Sequence, residues 1–190
     1  MTFEFSEDVT GFALGDIVVG NGSAGSFVAV DGNTYTAQIT PSGAGDITVD
    51  VAGSVATDAA GNNNTAATTA TTVYDTTAPA ASITGAPSAV NSTTPYNVTV
   101  DFGEVVTGFV SGDVTVGNGS VTGFTDNGDG TFTVQITPSG AGDITVDVAG
   151  SVATDAAGNN NTAATTATTV YDTTAPTVDI QGEPVAVNST

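Results

Sequence analysis

The amino-acid sequence repeats itself at a fixed offset of 97 residues without gaps. Gln38–Pro79 and Gln135–Pro176 are identical over all 42 positions. A catalytic site is normally built once, whereas a module that is copied almost without change usually provides length, spacing or multivalency. The repeat therefore favours a fibre or stalk of similar domains over a single enzyme.

The charge composition excludes one large class of partners. The chain has 20 acidic residues and no Lys, Arg or His. Nucleic-acid binders need cationic side chains that replace the counterions of phosphates, so we expect no nucleic-acid partner. No apolar run reaches the length of a membrane-spanning helix, which predicts no membrane insertion. Cysteine is absent, so the chain has neither disulfides nor thiolate metal sites.

Short segments of alternating polar and apolar residues predict an all-β fold. In the complete copy, residues 79–175, turns rich in Gly, Pro and Asn separate these segments. Seven strands within about 100 residues are typical of an immunoglobulin-like β-sandwich. The predicted strands are 81–84, 96–102, 113–116, 121–125, 131–137, 143–148 and 165–171.

Two segments need a separate interpretation. The run Asp126–Gly130 (DNGDG) predicts a tight hairpin turn. It is similar to the start of an EF-hand loop, but it lacks the distal Glu and the flanking helices. The Ala-rich segment Ala153–Thr166 contains Gly158 and three consecutive Asn, which predict a long loop and not a helix.

Three acidic motifs occur at the same place in both copies. One follows the second strand, one lies in the TDAAGN loop before the last strand, and one is the YDTTAP segment after it. In a sandwich the two loops lie at the end where the chain also enters, so we expect the acidic side chains to converge. Carboxylate, amide and carbonyl oxygens are the ligands that Ca²⁺ prefers. The predicted calcium ligands are Glu7, Asp58, Asn62, Asp75, Glu104, Asp155, Asn159 and Asp172.

Structural interpretations of the same residues remain open. Asp75 and Asp172 are also placed to cap turns before proline, and Asp58 and Asp155 are also placed to form Asx-turns with solvated carboxylates. Acidic side chains that lie close together repel one another. A divalent cation relieves that repulsion in a chain without Arg or Lys.

The segments FSE and FGE before VTGF, the GD-[IV]-x-V segment, ATDAAGN and YDTTAP resemble a known group. They are similar to the bacterial immunoglobulin-like tandem repeats of large secreted surface adhesins and biofilm-associated proteins. The resemblance covers essentially the whole chain. It implies export, an extracellular or cell-surface location, and calcium at the joints between modules, where the ion stiffens the array.

The register of the repeat predicts three segments. If DTTAP is the joint, residues 1–78 are a module without its first strand, 79–175 are a complete module, and 176–190 are the first strand of a following module. Residues 177–190 of one molecule would then fill the groove of the next, which gives a head-to-tail filament by strand donation. Two alternatives are a piece of a longer covalent array and a permuted module, in which residues 80–93 fold back on residues 2–79 and residues 177–190 fold back on residues 99–176.

The preferred function is a structural adhesive module without enzyme activity. The chain has no His, Cys, Lys or Arg for catalysis and no nucleophile motif. The alternative is a carbohydrate- or surface-binding module whose loops contact surface glycans. Such sites usually present exposed aromatic platforms, but Trp is absent and three of the four Tyr fall on strand-like positions.

Overall fold

The computed structural model describes residues 1–140 and 142–182. The chain divides into two compact units, Met1–Thr77 (unit 1) and Ala78–Thr190 (unit 2). Both units are built of β-strands, and the helices in the described ranges are two 3-10 turns of three residues each. The predicted all-β class is therefore confirmed. None of the helices in this part of the chain is long and apolar enough to cross a membrane.

Six strands make up unit 1. They are β1 (Thr2–Glu4), β2 (Ile17–Gly20), β3 (Gly22–Ala29), β4 (Thr34–Pro41), β5 (Gly45–Val51) and β6 (Ala70–Tyr74). One antiparallel sheet has the order β1-β4-β3, and the other has the order β2-β5-β6. Among the described residues, β1 and β6 are each an edge strand with one neighbour.

Unit 2 has the same two sheets with one more strand in each. Its strands are β7 (Ser82–Thr84), β8 (Ala89–Val90), β9 (Tyr96–Asp101), β10 (Val114–Gly117), β11 (Gly119–Asp126), β12 (Thr131–Pro138), β13 (Gly142–Val148) and β14 (Ala167–Tyr171). The sheet orders are β11-β12-β9-β7 and β10-β13-β14-β8.

The first segment of unit 2 is shared between the two sheets. β7 pairs antiparallel with β9, and β8 pairs parallel with β14. Between them the chain turns at Gly85, whose φ of +80° favours glycine. The sequence pattern predicted one strand here, at 81–84, and missed the two-residue β8. The permuted alternative is wrong, because residues 82–90 pair with strands of unit 2.

The alternating pattern of β12 and β13 forms the core of unit 2. Every second side chain of these strands is buried, as the pattern predicted, because successive side chains point to opposite faces of a sheet. The buried apolar side chains of the two strands are Phe132, Val134, Ile136, Ile144, Val146 and Val148. Unit 1 has a smaller core, which centres on contacts between Phe12 and the rings around it.

Three predicted strand starts are one or two residues too early, namely 81, 113 and 165, and two predicted loops are confirmed. Asp113 does not begin a strand but ends the 3-10 turn Ser111–Asp113, because its carboxylate accepts a hydrogen bond from the Val110 N–H at 2.9 Å. The DNGDG run forms the hairpin turn between β11 and β12. Residues 153–166 contain no helix and form a long loop.

Candidate functional site

Asn161, which the sequence analysis did not select, fixes the loop that carries Asp155. Its side-chain oxygen accepts two backbone hydrogen bonds of 2.8 and 2.9 Å, and its nitrogen donates two of 2.8 and 3.0 Å. The partners are Val152, Ala153, Ala149 and Thr162. Asn64 makes the same four bonds in unit 1. We call such an amide, whose donors and acceptor all bind the backbone, an asparagine clamp. Its presence at the same position of both copies was the feature of the sequence from which its structural role could have been inferred.

Asp155 is buried and strongly hydrogen-bonded. Its exposed fraction is 5%, and one oxygen accepts the N–H groups of Ala157 and Asn159 at 2.8 Å. The other oxygen accepts the side-chain amide of Asn159, also at 2.8 Å. That amide is the main cause that lowers the pKa of Asp155, backbone N–H groups add to it, and burial opposes it. The carboxylate has the Asx-turn geometry, and its lowered pKa keeps it ionised at neutral pH.

The loop after β9 brings Glu104 to the same end of unit 2. Thr107 and Thr154 exchange two backbone hydrogen bonds of 2.8 and 3.0 Å, which tie this loop to the Asp155 loop. Behind it, Gly130 lies so close to the Glu104 carbonyl oxygen that a Cβ at this position would overlap it. A carboxylate oxygen of half-buried Glu104 and one of Asp155 lie within 4.8 Å of each other.

The corresponding residues of unit 1 line one groove. Asp58 accepts the N–H groups of Ala60 and Asn62 at 2.9 and 2.8 Å and the side-chain amide of Asn62 at 2.8 Å. The amide of Asn62 is again the main cause that lowers the pKa of Asp58. Glu7, Asp58 and Asn62 all line this groove, and Glu7 and Asn62 are exposed.

The two YDTTAP aspartates form turns of the kind that the alternative interpretation described. Asp75 accepts the N–H of Thr77 at 2.8 Å, and Asp172 accepts the N–H of Thr174 at 2.7 Å. The bond from Thr174 is the main cause that lowers the pKa of Asp172. Within unit 2, Asp172 also donates its backbone N–H to the Val90 carbonyl at 3.0 Å, so the chain is still held to β8 at this point.

The Glu104–Asp155 pair has the chemistry of a hard-cation site. Ca²⁺ binds carboxylate oxygens at 2.3–2.6 Å, so two ligands of one ion lie at most about 5 Å apart. The spacing of the pair and its oxygen donors fit that requirement. The role of these residues, and of Glu7, Asp58, Asn62, Asp75, Asn159 and Asp172, in binding a metal stays a prediction.

A second candidate site is an open groove on unit 1, which we call the first-strand groove. It has two adjoining parts, with volumes of about 450 and 370 Å³. Met1, Val49 and Ala70 line both parts. The groove runs along the outer edges of β1 and β6, so it combines an apolar floor with strand edges that have one neighbour each.

The equivalent surface of unit 2 is covered by β7, β8 and the chain around them. Four apolar side chains of that segment pack on the core, and they are Ala81, Ile83, Ala86 and Val90. Under this cover Thr169 is 1% exposed, whereas its counterpart Thr72 on β6 is exposed. The first-strand groove therefore has the position that a first strand occupies in unit 2.

Comparison with protein families gives a match that covers most of the chain. The model of the bacterial Ig-like domain matches residues 1–74 and 75–171. Among curated protein sequences, no relative matches the chain.

Among solved structures, the chain is similar to InvD of Yersinia pseudotuberculosis, with a TM-score of 0.41 and 16% identity over 92% of this chain. It is also similar to invasin, described as a bacterial integrin-binding protein, with a TM-score of 0.38 and 16% identity over 90% of this chain. A third neighbour is SGBP-B of the Bacteroides ovatus mixed-linkage glucan utilization locus, solved with a mixed-linkage heptasaccharide (TM-score 0.29, 16% identity, 90% of this chain). The chain spans 51%, 32% and 40% of these three proteins.

Proposed function

Because the chain belongs to the family of bacterial Ig-like domains, we propose that it is a non-catalytic structural module of an extracellular adhesin or surface filament. The near-identical repeat supports this role, because a copied module sets length and spacing. The lack of His, Cys, Lys and Arg supports the absence of catalysis, since His, the commonest general base, and the thiol and amine nucleophiles are missing.

In this proposal, calcium stiffens the joints between modules. The observation that supports it most is the pair of carboxylates on Glu104 and Asp155, whose oxygens lie within 4.8 Å. No basic side chain exists in the sequence to neutralise them, and the lowered pKa of Asp155 keeps it charged. A bound Ca²⁺ would convert this repulsion into attraction, with Asn159 holding the Asp155 carboxylate in place.

Asp75 is proposed as a further ligand because of its place in the chain. The carbonyl of Pro79 accepts the N–H of Thr162 at 2.9 Å, which holds the start of unit 2 on the loop that follows Asp155. Asp75 precedes Pro79 by four residues, a reach of at most about 14 Å. By the same reasoning Glu7, Asp58 and Asn62 would share an ion with the Asp172 of a preceding module.

Thermal unfolding of the full chain in Ca²⁺ and in EDTA tests the calcium proposal. A Ca²⁺ concentration of about 100 times the Kd stabilises a domain by about 2.7 kcal/mol, which corresponds to a rise of roughly 10 °C in Tm. Glu104→Gln and Asp155→Asn should remove that response. Asp143→Asn, an exposed acid on β13, is the matched control and should keep it.

Ionic strength must be held constant with NaCl, because any salt reduces self-repulsion in a chain of net charge −20. A midpoint that does not respond to chelation contradicts the calcium proposal.

Stiffening of the joint between the units is measured in a separate experiment. Because the chain has no Cys, labels at Ser23→Cys and Ser120→Cys report the distribution of distances between units. Ca²⁺ should narrow this distribution, and an unchanged width would contradict stiffening.

We further propose that such modules join head-to-tail by strand donation, with the first-strand groove as acceptor. The position of the groove supports strand donation, because it corresponds to the surface of unit 2 that β7 and β8 cover. A head-to-tail contact joins two different surfaces, so it extends into a filament when the rotation between neighbours does not close a ring.

A carbohydrate- or surface-binding role is the second candidate. The observation that favours it is Tyr74, which is 41% exposed and lines the first-strand groove. Other aromatic side chains pack inside the units, for example Tyr35, whose hydroxyl donates to the Val9 carbonyl at 3.1 Å. Binding of the full chain to a glycan array, with Tyr74→Ala as the variant that should lose it, tests this candidate. An array without any bound glycan rejects it.

A further inference from the structure

We propose that the first-strand groove binds residues 176–190 of a second copy of this chain, in the register that residues 79–93 adopt on unit 2. The inference deepens the proposed head-to-tail assembly by naming its partner segment and its register. It rests on that assembly and does not depend on calcium.

Unit 2 shows the register of the filled groove. β7 pairs antiparallel with β9, and in this pairing Ile83 lies opposite Val100. The chain then crosses to the other sheet, where β8 runs parallel to β14 and Ala89 lies opposite Val170. The segment therefore adds one edge strand to each sheet. Its apolar side chains pack on the core between the two sheets and cover it.

Unit 1 presents the same acceptor elements. β1 corresponds to β9, and β6 corresponds to β14. In unit 2, β9 pairs with β7 and β14 pairs with β8. Among the described residues, β1 and β6 have no such second neighbour. Thr65, the counterpart of Thr162, lines the groove where the proline at the start of the segment would dock. Edge strands that expose apolar side chains are the usual acceptors of an added strand.

The donor sequence matches the segment that fills unit 2. At the repeat offset, Ile180 takes the position of Ile83, and Val178 takes that of Ala81. Val178 and Ile180 are 90% and 83% exposed, so these two apolar side chains have no packing within their own molecule. Gly182, the counterpart of Gly85, already has a φ of +87°, the conformation of the crossing between sheets.

One residue of the donor does not match. Glu183 stands at the position of Ala86, whose side chain packs on the core of unit 2. A carboxylate at this position opposes burial. The mismatch predicts reversible binding of the donor, and it predicts that Glu183→Ala tightens binding.

Thr72 reports occupancy of the groove from the acceptor side. Its counterpart Thr169 is buried, and the Thr169 hydroxyl has no hydrogen-bond partner among the described residues. If the donor binds in the proposed register, the Thr72 hydroxyl loses water in the same way. Thr72→Val removes that penalty and should tighten association by about tenfold, since leaving a buried hydroxyl unpaired is unfavourable by an amount of that order.

Sedimentation velocity of the full chain over a range of concentrations tests the proposal. The wild type should form concentration-dependent oligomers, and Ile180→Asp should remain monomeric. Val110→Asp is the matched control, because Val110 is also an exposed apolar residue (56%) but lies outside the groove and the donor. It should associate like the wild type. A labelled peptide of residues 176–190 should bind the full chain and dissolve the oligomers.

Two threonine variants distinguish binding in this register from non-specific association. Thr72→Val should strengthen association, whereas Thr169→Val should leave it unchanged because that site is already covered. A chain that stays monomeric and does not bind the peptide overturns the proposal, as does association that Ile180→Asp leaves intact. Repeating the series in EDTA distinguishes strand binding from the calcium proposal, because strand binding persists there even if the calcium site fails.

Discussion

Two copies of the same 42-residue sequence, Gln38–Pro79 and Gln135–Pro176, have different surroundings in the two units. Ile136 is fully buried, whereas Ile39 is half-buried. Ile144 is likewise fully buried, and Ile47 retains 7% exposure. Thr169 is buried and Thr72 is exposed. The copies have the same residues, so the difference must come from the chain that packs on them.

The comparison separates local from non-local determinants of structure. The Asn64 and Asn161 clamps make the same four hydrogen bonds in both units, and Asp58 and Asp155 accept the same three. These loops are therefore encoded within the repeated segment. Burial of the sheet faces depends on a segment outside it, namely β7 and β8 in unit 2.

The largest expected effect is a difference between the same substitution in the two cores. Ile144→Ala should destabilise unit 2 by about 2–5 kcal/mol, because it leaves a cavity in a closed core. Ile47→Ala should destabilise unit 1 by less, since water already reaches that side chain. Chemical denaturation followed by hydrogen exchange assigns each loss to its unit. Equal losses would mean that the first segment does not determine the burial of this position.

The Gly130 turn is a place where the two copies differ in sequence. Gly130→Ala should destabilise unit 2 by more than about 2 kcal/mol, because a non-glycine residue is strained at positive φ and its Cβ overlaps the Glu104 carbonyl. Gly128→Ala is the matched control, since Gly128 has a similar φ of +80° but nothing within 4 Å of a Cβ. The urea midpoints of the two variants should differ, and identical midpoints would show that the overlap is relieved without loss.

The clamps should behave alike in both units. Asn161→Ala and Asn64→Ala each leave backbone groups without partners, and each should destabilise its own unit by about 1–3 kcal/mol. Differential scanning calorimetry measures both losses. A much smaller loss in unit 1 would show that the loop needs the first segment after all.

The smallest effect is a dependence on pH. The folded pKa of Asp155 lies below its ordinary value of 3.8, so the protonated form is disfavoured in the folded state. The stability that this carboxylate contributes is present above the unfolded pKa and is lost as the pH falls through the folded pKa. Urea midpoints of the wild type and of Asp155→Asn are measured from neutral pH down to pH 2. The difference between the two proteins should become smaller towards pH 2. Parallel curves would contradict the shift.

The sequence was sufficient for three features that depend on alternation or on turn residues. β12 and β13, the hairpin turn at Asp126–Gly130 and the loop at residues 153–166 all follow from residue pattern. The errors come from a few specific hydrogen bonds. Asp113 caps a 3-10 turn instead of starting a strand, and β8 is held by parallel pairing to a distant strand, which a two-residue pattern does not reveal.

The candidate site was predictable in part. Shared topology indicated that Glu104 and Asp155 come together, because their loops leave the sandwich at one end. Topology did not indicate the hydrogen bonds of Asn161 to the backbone of its loop or the close approach of Gly130 to the Glu104 carbonyl. Both contacts depend on the detailed backbone conformation of the loops. The first-strand groove could be inferred only from the register of the repeat.

The parallel pairing of β8 with β14 has a mechanical consequence. If unit 2 is pulled from its two ends, these neighbouring strands are drawn in opposite directions along their common axis. Two hydrogen bonds are then loaded in shear, from the Val170 N–H to the Ser88 carbonyl and from the Asp172 N–H to the Val90 carbonyl. They bear the force together and do not break one after the other. In the proposed stalk, a pull along the chain would therefore load these two hydrogen bonds together.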